Sequence, residues 1–133
     1  MLFRSDGRQD VLILSHNQPL AYLHNRSEGG RSLTLRLEGR GPNRDAIGAR
    51  VAVVTRGRRL VAWRTGGGSF QSAGDPRLHF GLGDAAGAEY AEVTWPSGQV
   101  KRYVGLSAGA GYLLREGQCE PEPLEGYSTG GRR

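Results

Sequence analysis

Asn43-Arg44-Asp45 sets an amide, a guanidinium and a carboxylate on three successive positions. Such a set can grip a sugar or a carboxylated ligand, because it offers donors and acceptors side by side. The same residue types also build corners. Asn and Asp side chains hydrogen-bond nearby backbone in turns, and Arg44 can pair with Asp45 or with a carbonyl. Gly48 would then give the backbone room at a strand start. The sequence leaves both readings open. Arg50, His79 and Tyr103 complete the set of candidate ligand-binding residues. His79 alternates away from Leu78 and Phe80, and hydrogen bonding to a loop carbonyl is its expected role. Tyr103 has the opposite parity to Val100 and Val104, which places it on the surface.

Catalytic arrangements are hard to assemble from this chain. His79 stands alone, and His16 and His24 have no Cys, Asp or Glu at a spacing that completes a site, whereas zinc needs three or four ligands. Cys119 lies in a polar segment without a fixed histidine partner. Asp84/Glu89 and Glu89/Glu92 are acidic pairs with no sign of a cleft between them. Gly81-Leu82-Gly83-Asp84-Ala85-Ala86-Gly87 is one residue too long for a dinucleotide fingerprint, and a strand, not a helix, is expected after it. Gly66-Gly67-Gly68-Ser69 lacks the lysine of a phosphate loop. The expectation is a protein with no catalytic residues and no cofactor. Trp63, Trp95, Tyr90, Tyr103 and Tyr112 can form a stacking platform for sugars or fill a core. Trp95 shares parity with Ala91 and Val93 and is expected inside.

The elements that must position these residues are short strands. Residues 31–38 alternate, with Leu33, Leu35 and Leu37 on one face and Thr34, Arg36 and Glu38 on the other. Ile47, Ala49, Val51 and Val53 share a face, opposite Gly48, Arg50 and Ala52. Arg56-Gly57-Arg58 turns the chain into a partner strand at Leu60-Val61-Ala62-Trp63. Residues 69–87 read as the longest irregular stretch. Residues 89–95 form a strand, Pro96-Ser97-Gly98 a turn, residues 99–104 a return strand and residues 112–115 a last one. The predicted fold class is all-β: a compact antiparallel β-sandwich or barrel-like module of seven to nine short strands. Residues 1–28 form a lead-in in which Asp6-Gly7-Arg8-Gln9-Asp10-Val11-Leu12-Ile13-Leu14 is followed by a turn at Asn17-Gln18-Pro19 and a second short strand at Leu20-Ala21-Tyr22-Leu23, expected to pack as extra edge strands. Residues 29–116 form the body. Residues 117–133 are polar and rich in Pro and Gly, and read as a flexible tail.

Three blocks in order carry a family resemblance: Gly41-Pro42-Asn43-Arg44-Asp45-Ala46-Ile47-Gly48, Asp75-Pro76-Arg77-Leu78-His79-Phe80-Gly81-Leu82-Gly83 and Trp95-Pro96-Ser97-Gly98. Over residues 31–116 the chain resembles the ASPIC/UnbV domain, a small β module. The resemblance implies a place at the C-terminal end of FG-GAP or VCBS repeat proteins of the cartilage acidic protein type, most of them secreted. It implies no catalytic activity and assigns no role to the 43–45 loop. The lead-in is similar to the last strand pair of an FG-GAP propeller blade. Asp6, Gly7 and Asp10 match three positions of that repeat's calcium loop, but Leu2 and Arg4 occupy its first two acidic positions. Calcium takes six to eight oxygen ligands, so the loop reads as degenerate and no metal is expected there.

At 133 residues the chain fits one domain. Its net charge is +5, and every basic residue except Lys101 is arginine. Arginine forks suit carboxylate, sulfate and phosphate, although the arginines are scattered. One cysteine excludes an internal disulfide. No apolar run approaches the ~20 residues of a membrane span, and Met1-Leu2-Phe3-Arg4 opens no signal peptide. The first functional expectation is a non-catalytic accessory or adhesion module, extracellular or periplasmic as part of a larger protein. It would cap the propeller of its parent or bind an extracellular protein or glycan. The alternative is arginine-driven binding of acidic polysaccharide; nucleic acid is the less favoured polyanion, because no RNA-binding signature accompanies the aromatics.

Overall fold

The computed structural model describes residues 7–68, 70 and 72–124. Among these it contains twelve strands and no helix: β1 (Val11–Ile13), β2 (Ala21–Leu23), β3 (Arg31–Glu38), β4 (Arg50–Thr55), β5 (Arg58–Trp63), β6 (Leu78–Gly83), β7 (Gly87–Ala88), β8 (Tyr90–Thr94), β9 (Val100–Tyr103), β10 (Leu106–Ser107), β11 (Gly111–Arg115) and β12 (Glu122–Pro123). Two four-stranded sheets face each other, in the orders β12-β11-β3-β6 and β5-β4-β8-β9, and neither closes into a barrel. The architecture is therefore the open sandwich of the two predicted forms.

The inner faces follow the alternation of the sequence. Leu33, Leu35 and Leu37 of β3 meet Val51 and Val53 of β4 and Ala91 and Val93 of β8 in one buried cluster, with Phe80, Leu82 and Leu114 from the first sheet. Trp95 is buried with them, as its parity requires. Burial at roughly 25 cal/mol per Å² of apolar surface is the dominant favourable term in a chain with no disulfide. The β4–β5 hairpin turns on Arg56 and Gly57 alone, both at positive φ (47° and 72°). That is the mirror-image turn whose twist matches the flanking strands.

Several expectations are corrected. Tyr103 is fully buried, while Val100 and Val104 are exposed. The parity was right and the face inverted. Its hydroxyl donates to the Arg115 carbonyl at 3.0 Å, tying the second sheet to the first, and burial pushes its pKa up to about 12. The stretch expected to be irregular holds β6. Leu78, Phe80 and Leu82 alternate there, but His79, Gly81 and Gly83 fill the positions between them and blur the pattern. Ile47 is exposed, because Gly48 at φ 95° breaks the alternation between it and β4. One pair in the sandwich, β11 with β3, is parallel. The sheet also continues past residue 117: β12 pairs with β11, and the Leu124 amide donates to the Gly111 carbonyl at 2.9 Å.

The lead-in strands β1 and β2 pair with each other in a separate two-stranded sheet and extend neither large one, contrary to the edge-strand expectation. Both are exposed along their whole length. Asp10 is what organises them. Its buried carboxylate accepts from the Tyr22 hydroxyl at 2.7 Å and the Asn25 amide at 2.9 Å, with the His24 ring Nδ1 at 3.2 Å. Asp6, the other acidic residue of the degenerate calcium loop, lies outside the described residues. Asp10 thus has protein donors where a calcium loop would place a metal.

The Asn25 amide, with the Tyr22 hydroxyl and His24, holds the Asp10 pKa below the usual carboxylate range. A depressed pKa stabilises the folded form above the unfolded value, about 3.9, and that stabilisation is lost as pH falls through the folded value. The protection of the Asn25 amide, relative to its intrinsic exchange rate at each pH, should fall on acidification below about pH 4, ahead of amides in β4 and β8. Asp10→Asn should show fast exchange at neutral pH. Equal protection of Asn25 in that variant would refute the organising role.

Candidate functional site

The 43–45 loop is where the chain leaves β3 for β4. The Asn43 side chain is spent on its own backbone: Oδ1 accepts from the Ile47 amide at 3.0 Å and Nδ2 donates to the Ile47 carbonyl at 2.9 Å. The Asn43 carbonyl accepts from the Ala46 amide at 3.1 Å, and the Arg44 carbonyl from the Gly39 amide at 2.9 Å. A Cβ on residue 39 would stand 2.4 Å from the Asn43 carbonyl oxygen, so only glycine fits there. Ala46 is held at φ 51° and fully buried. Arg44 points outward, its side chain 80% exposed and 3.9 Å from Glu38, and Asp45 is exposed. The geometry is that of a corner.

The other candidates do not converge on it. Arg50 lies on the outer face of the second sheet. His79 lies on the outer face of the first, paired across β3–β6 with Thr34. Its Nδ1 is 3.5 Å from the Thr34 hydroxyl, not on a loop carbonyl, and burial pushes its pKa down. Tyr103 is inside. These residues form no common site.

The start of the second motif block and the third block are also corners. Asp75 accepts from the Arg77 amide at 2.9 Å and takes the Arg77 guanidinium through Nε and Nη2, fixing the entry to β6. At Trp95-Pro96-Ser97-Gly98 the Gly98 amide donates to the Trp95 carbonyl and the Trp95 amide to the Gln99 carbonyl, closing the β8–β9 turn. Glu116 joins this turn to the first corner, accepting from the Ser97 hydroxyl and from the Arg40 amide. Those two donors, Ser97 first, hold its pKa below the ordinary range.

What gathers unpaired chemistry is the outer face of β5-β4-β8-β9. Since Val51 and Val53 point in, Arg50, Ala52 and Val54 point out, and the register sets three rows across the sheet. The first is Trp63–Arg50–Thr94–Val100, the second Val61–Ala52–Glu92–Arg102, and the third brings Arg59 and Tyr90 to either side of Val54. Trp63 is 58% exposed. The Arg50 guanidinium lies 5.9 Å from the Trp63 ring centroid and the Arg102 guanidinium 4.6 Å from that of Tyr90. Glu92 sits between arginines, 2.8 Å from Arg102 and 3.6 Å from Arg59. Arg102 above all, then Arg59 and Arg50, keep the Glu92 pKa low. The sequence pointed to aromatics on a sheet face but favoured Tyr103. The signal for Trp63 and Tyr90 was register: both stand opposite outward residues of β4. Among the described residues no group of three His, Cys, Asp or Glu could hold a metal ion.

Two neighbouring residues should therefore separate in equilibrium unfolding. Asn43→Ala removes two hydrogen bonds at the corner and should cost about 1–2 kcal/mol. Arg44→Ala should change stability by less than about 0.5 kcal/mol, as for an exposed, long ion pair. Equal losses would overturn the corner assignment.

The family model described as ASPIC and UnbV matches residues 39–121, which takes in all three motif blocks and both large sheets apart from β3 and the end strand β12. No curated protein sequence matches the chain. With more than half of its residues covered by that match, the chain belongs to the ASPIC/UnbV family.

Proposed function

We propose that this domain is a non-catalytic accessory module that presents the outer face of β5-β4-β8-β9 to an extracellular protein or glycan. The observation that carries the reading is the exposed Trp63, held beside Arg50 on a rigid four-stranded sheet. A large aromatic left in water on a sheet face is disfavoured for folding alone, and aromatics with arginine are the usual anchors of binding surfaces. Membership of an FG-GAP-associated family supports a setting beside a propeller, and with it an extracellular or periplasmic location for the parent protein.

A second reading, a cap on that propeller, is favoured by one feature. The β1–β2 ribbon and its flanks expose Val11, Leu14, Leu20 and Leu23, and the ribbon extends neither large sheet. An isolated strand pair is marginal alone, so these side chains suit a neighbouring blade.

The test is binding of the purified domain to an array of glycans and extracellular-matrix proteins, with Trp63→Ala in parallel and circular dichroism to verify the fold. Binding is expected for the wild type and at least about tenfold weaker for the variant, the scale of losing an interface anchor. Undiminished binding by a folded Trp63→Ala would refute this face as the site. A wild type that binds nothing would leave the propeller cap as the surviving function.

A further inference from the structure

The outer face carries a composition that narrows its partner. Arg50, Arg59 and Arg102 stand against a single carboxylate, Glu92. Each guanidinium has five N–H donors in a planar fork. Arg102 gives Nε to Glu92, Arg59 stands at 3.6 Å from it, and Arg50 lies beside the Trp63 ring and acts on Glu92 through its charge. Most of these donors point to no protein acceptor, so the face has capacity for further anions. Small Ala52 lies in the middle row, between Val61 and Glu92. Neighbouring strands are about 4.8 Å apart, so the four strands offer a platform roughly 14 Å across, wide enough for a short oligosaccharide.

Resting on the reading that this face binds, we infer that its ligand is a uronate-bearing polysaccharide, laid across Trp63 with its carboxylates on Arg50 and Arg102 and its hydroxyls on Glu92. Three features of the face select that chemistry. The flat Trp63 ring suits the apolar C–H face of a pyranose. The arginine excess suits carboxylates, which match the guanidinium fork. Glu92 discriminates further: an ionised carboxylate accepts and never donates. In the centre of the face it repels a continuous phosphate chain but accepts from sugar hydroxyls. A polymer that alternates carboxylates with hydroxyls satisfies all of these groups together. The anionic charge also complements the net positive face.

Fluorescence titration of the full chain can test this, because Trp63 is exposed and Trp95, the other tryptophan, is buried. The probes are oligogalacturonide, its fully methyl-esterified form and inorganic polyphosphate, at physiological salt. Oligogalacturonide should shift the Trp63 emission saturably, with the ester at least about tenfold weaker through loss of charge-assisted bonds. Arg50→Ala and Arg102→Ala should each weaken binding. Glu92→Gln is the decisive variant. Simple electrostatic attraction predicts tighter binding once a negative charge is removed, whereas a hydroxyl-accepting role predicts weaker binding.

Equal affinity for the ester would overturn the uronate assignment and leave a neutral-glycan face, so that the proposed function survives. Polyphosphate binding as tight as oligogalacturonide, with Glu92→Gln tighter still, would overturn it in favour of unspecific charge attraction. Failure of oligogalacturonide to bind would overturn it outright, while the Trp63-dependent array result decides the broader reading separately.

Discussion

Strand β3 belongs to one sheet and β4 to the other, so the chain must change layers within residues 39–49. Everything else in the sandwich depends on that crossing being made in one geometry. Leu33, Leu35 and Leu37 face Val51 and Val53 only if the corner sets both register and rotation. The Asn43 amide fixes it by imitating a ladder partner for Ile47, with one bond given and one taken. Gly39 admits the Asn43 carbonyl where any side chain would collide. Glu116 then ties this corner to the β8–β9 turn through Arg40 and Ser97. The three sequence blocks that identify the family thus coincide with bends of the chain. They encode how the layers are joined, and none of them lies on the outer face of β5-β4-β8-β9.

Much of the fold was legible because half-buried strands alternate. β8 and the inward sides of β3 and β4 were readable residue by residue, down to buried Trp95, whereas Thr34 on the outward side of β3 is fully buried against that alternation. Legibility failed where both faces of a strand carry similar residues. In β9 valines stand on the solvent side, so parity alone could not say which way Tyr103 points. Its partner, the Arg115 carbonyl, belongs to the other sheet and is invisible to local sequence. β6 was hidden by glycines between its apolar residues. The parallel pairing of β11 with β3 leaves no local signature, since direction depends on the route of the intervening chain.

The candidate site divides along the same line. Asn43, Arg44 and Asp45 look like a binding cluster because side chains that recognise ligands also recognise backbone. Only coordinates show that Asn43 is already bonded and that Arg50 and His79 lie on opposite outer faces. Trp63, Tyr90, Glu92 and Arg102 are spread over three strands, and pairing alone brings them together. The face is held without burial: guanidinium groups cover aromatic rings, and one carboxylate aligns two arginines. Such contacts are individually small in water, and each holds its arginine to one neighbour on the sheet.

The β3–β11 pairing also has a bearing on how the molecule comes into being. The second sheet takes its strands from two spans, residues 50–63 and 90–103, joined by antiparallel pairings, with β6 of the first sheet between them in sequence. The first needs β11, made late, to lie beside β3, made early. During synthesis β6 can pair with one edge of β3 earlier, but the other edge must wait until residues 111–115 have left the ribosome. Pairings so distant along the chain are slow to close and exposed to wrong partners in the meantime. The first sheet is thus the later of the two to be completed, and the early strand β3 stays open to wrong pairing along that edge until the body of the chain is nearly finished.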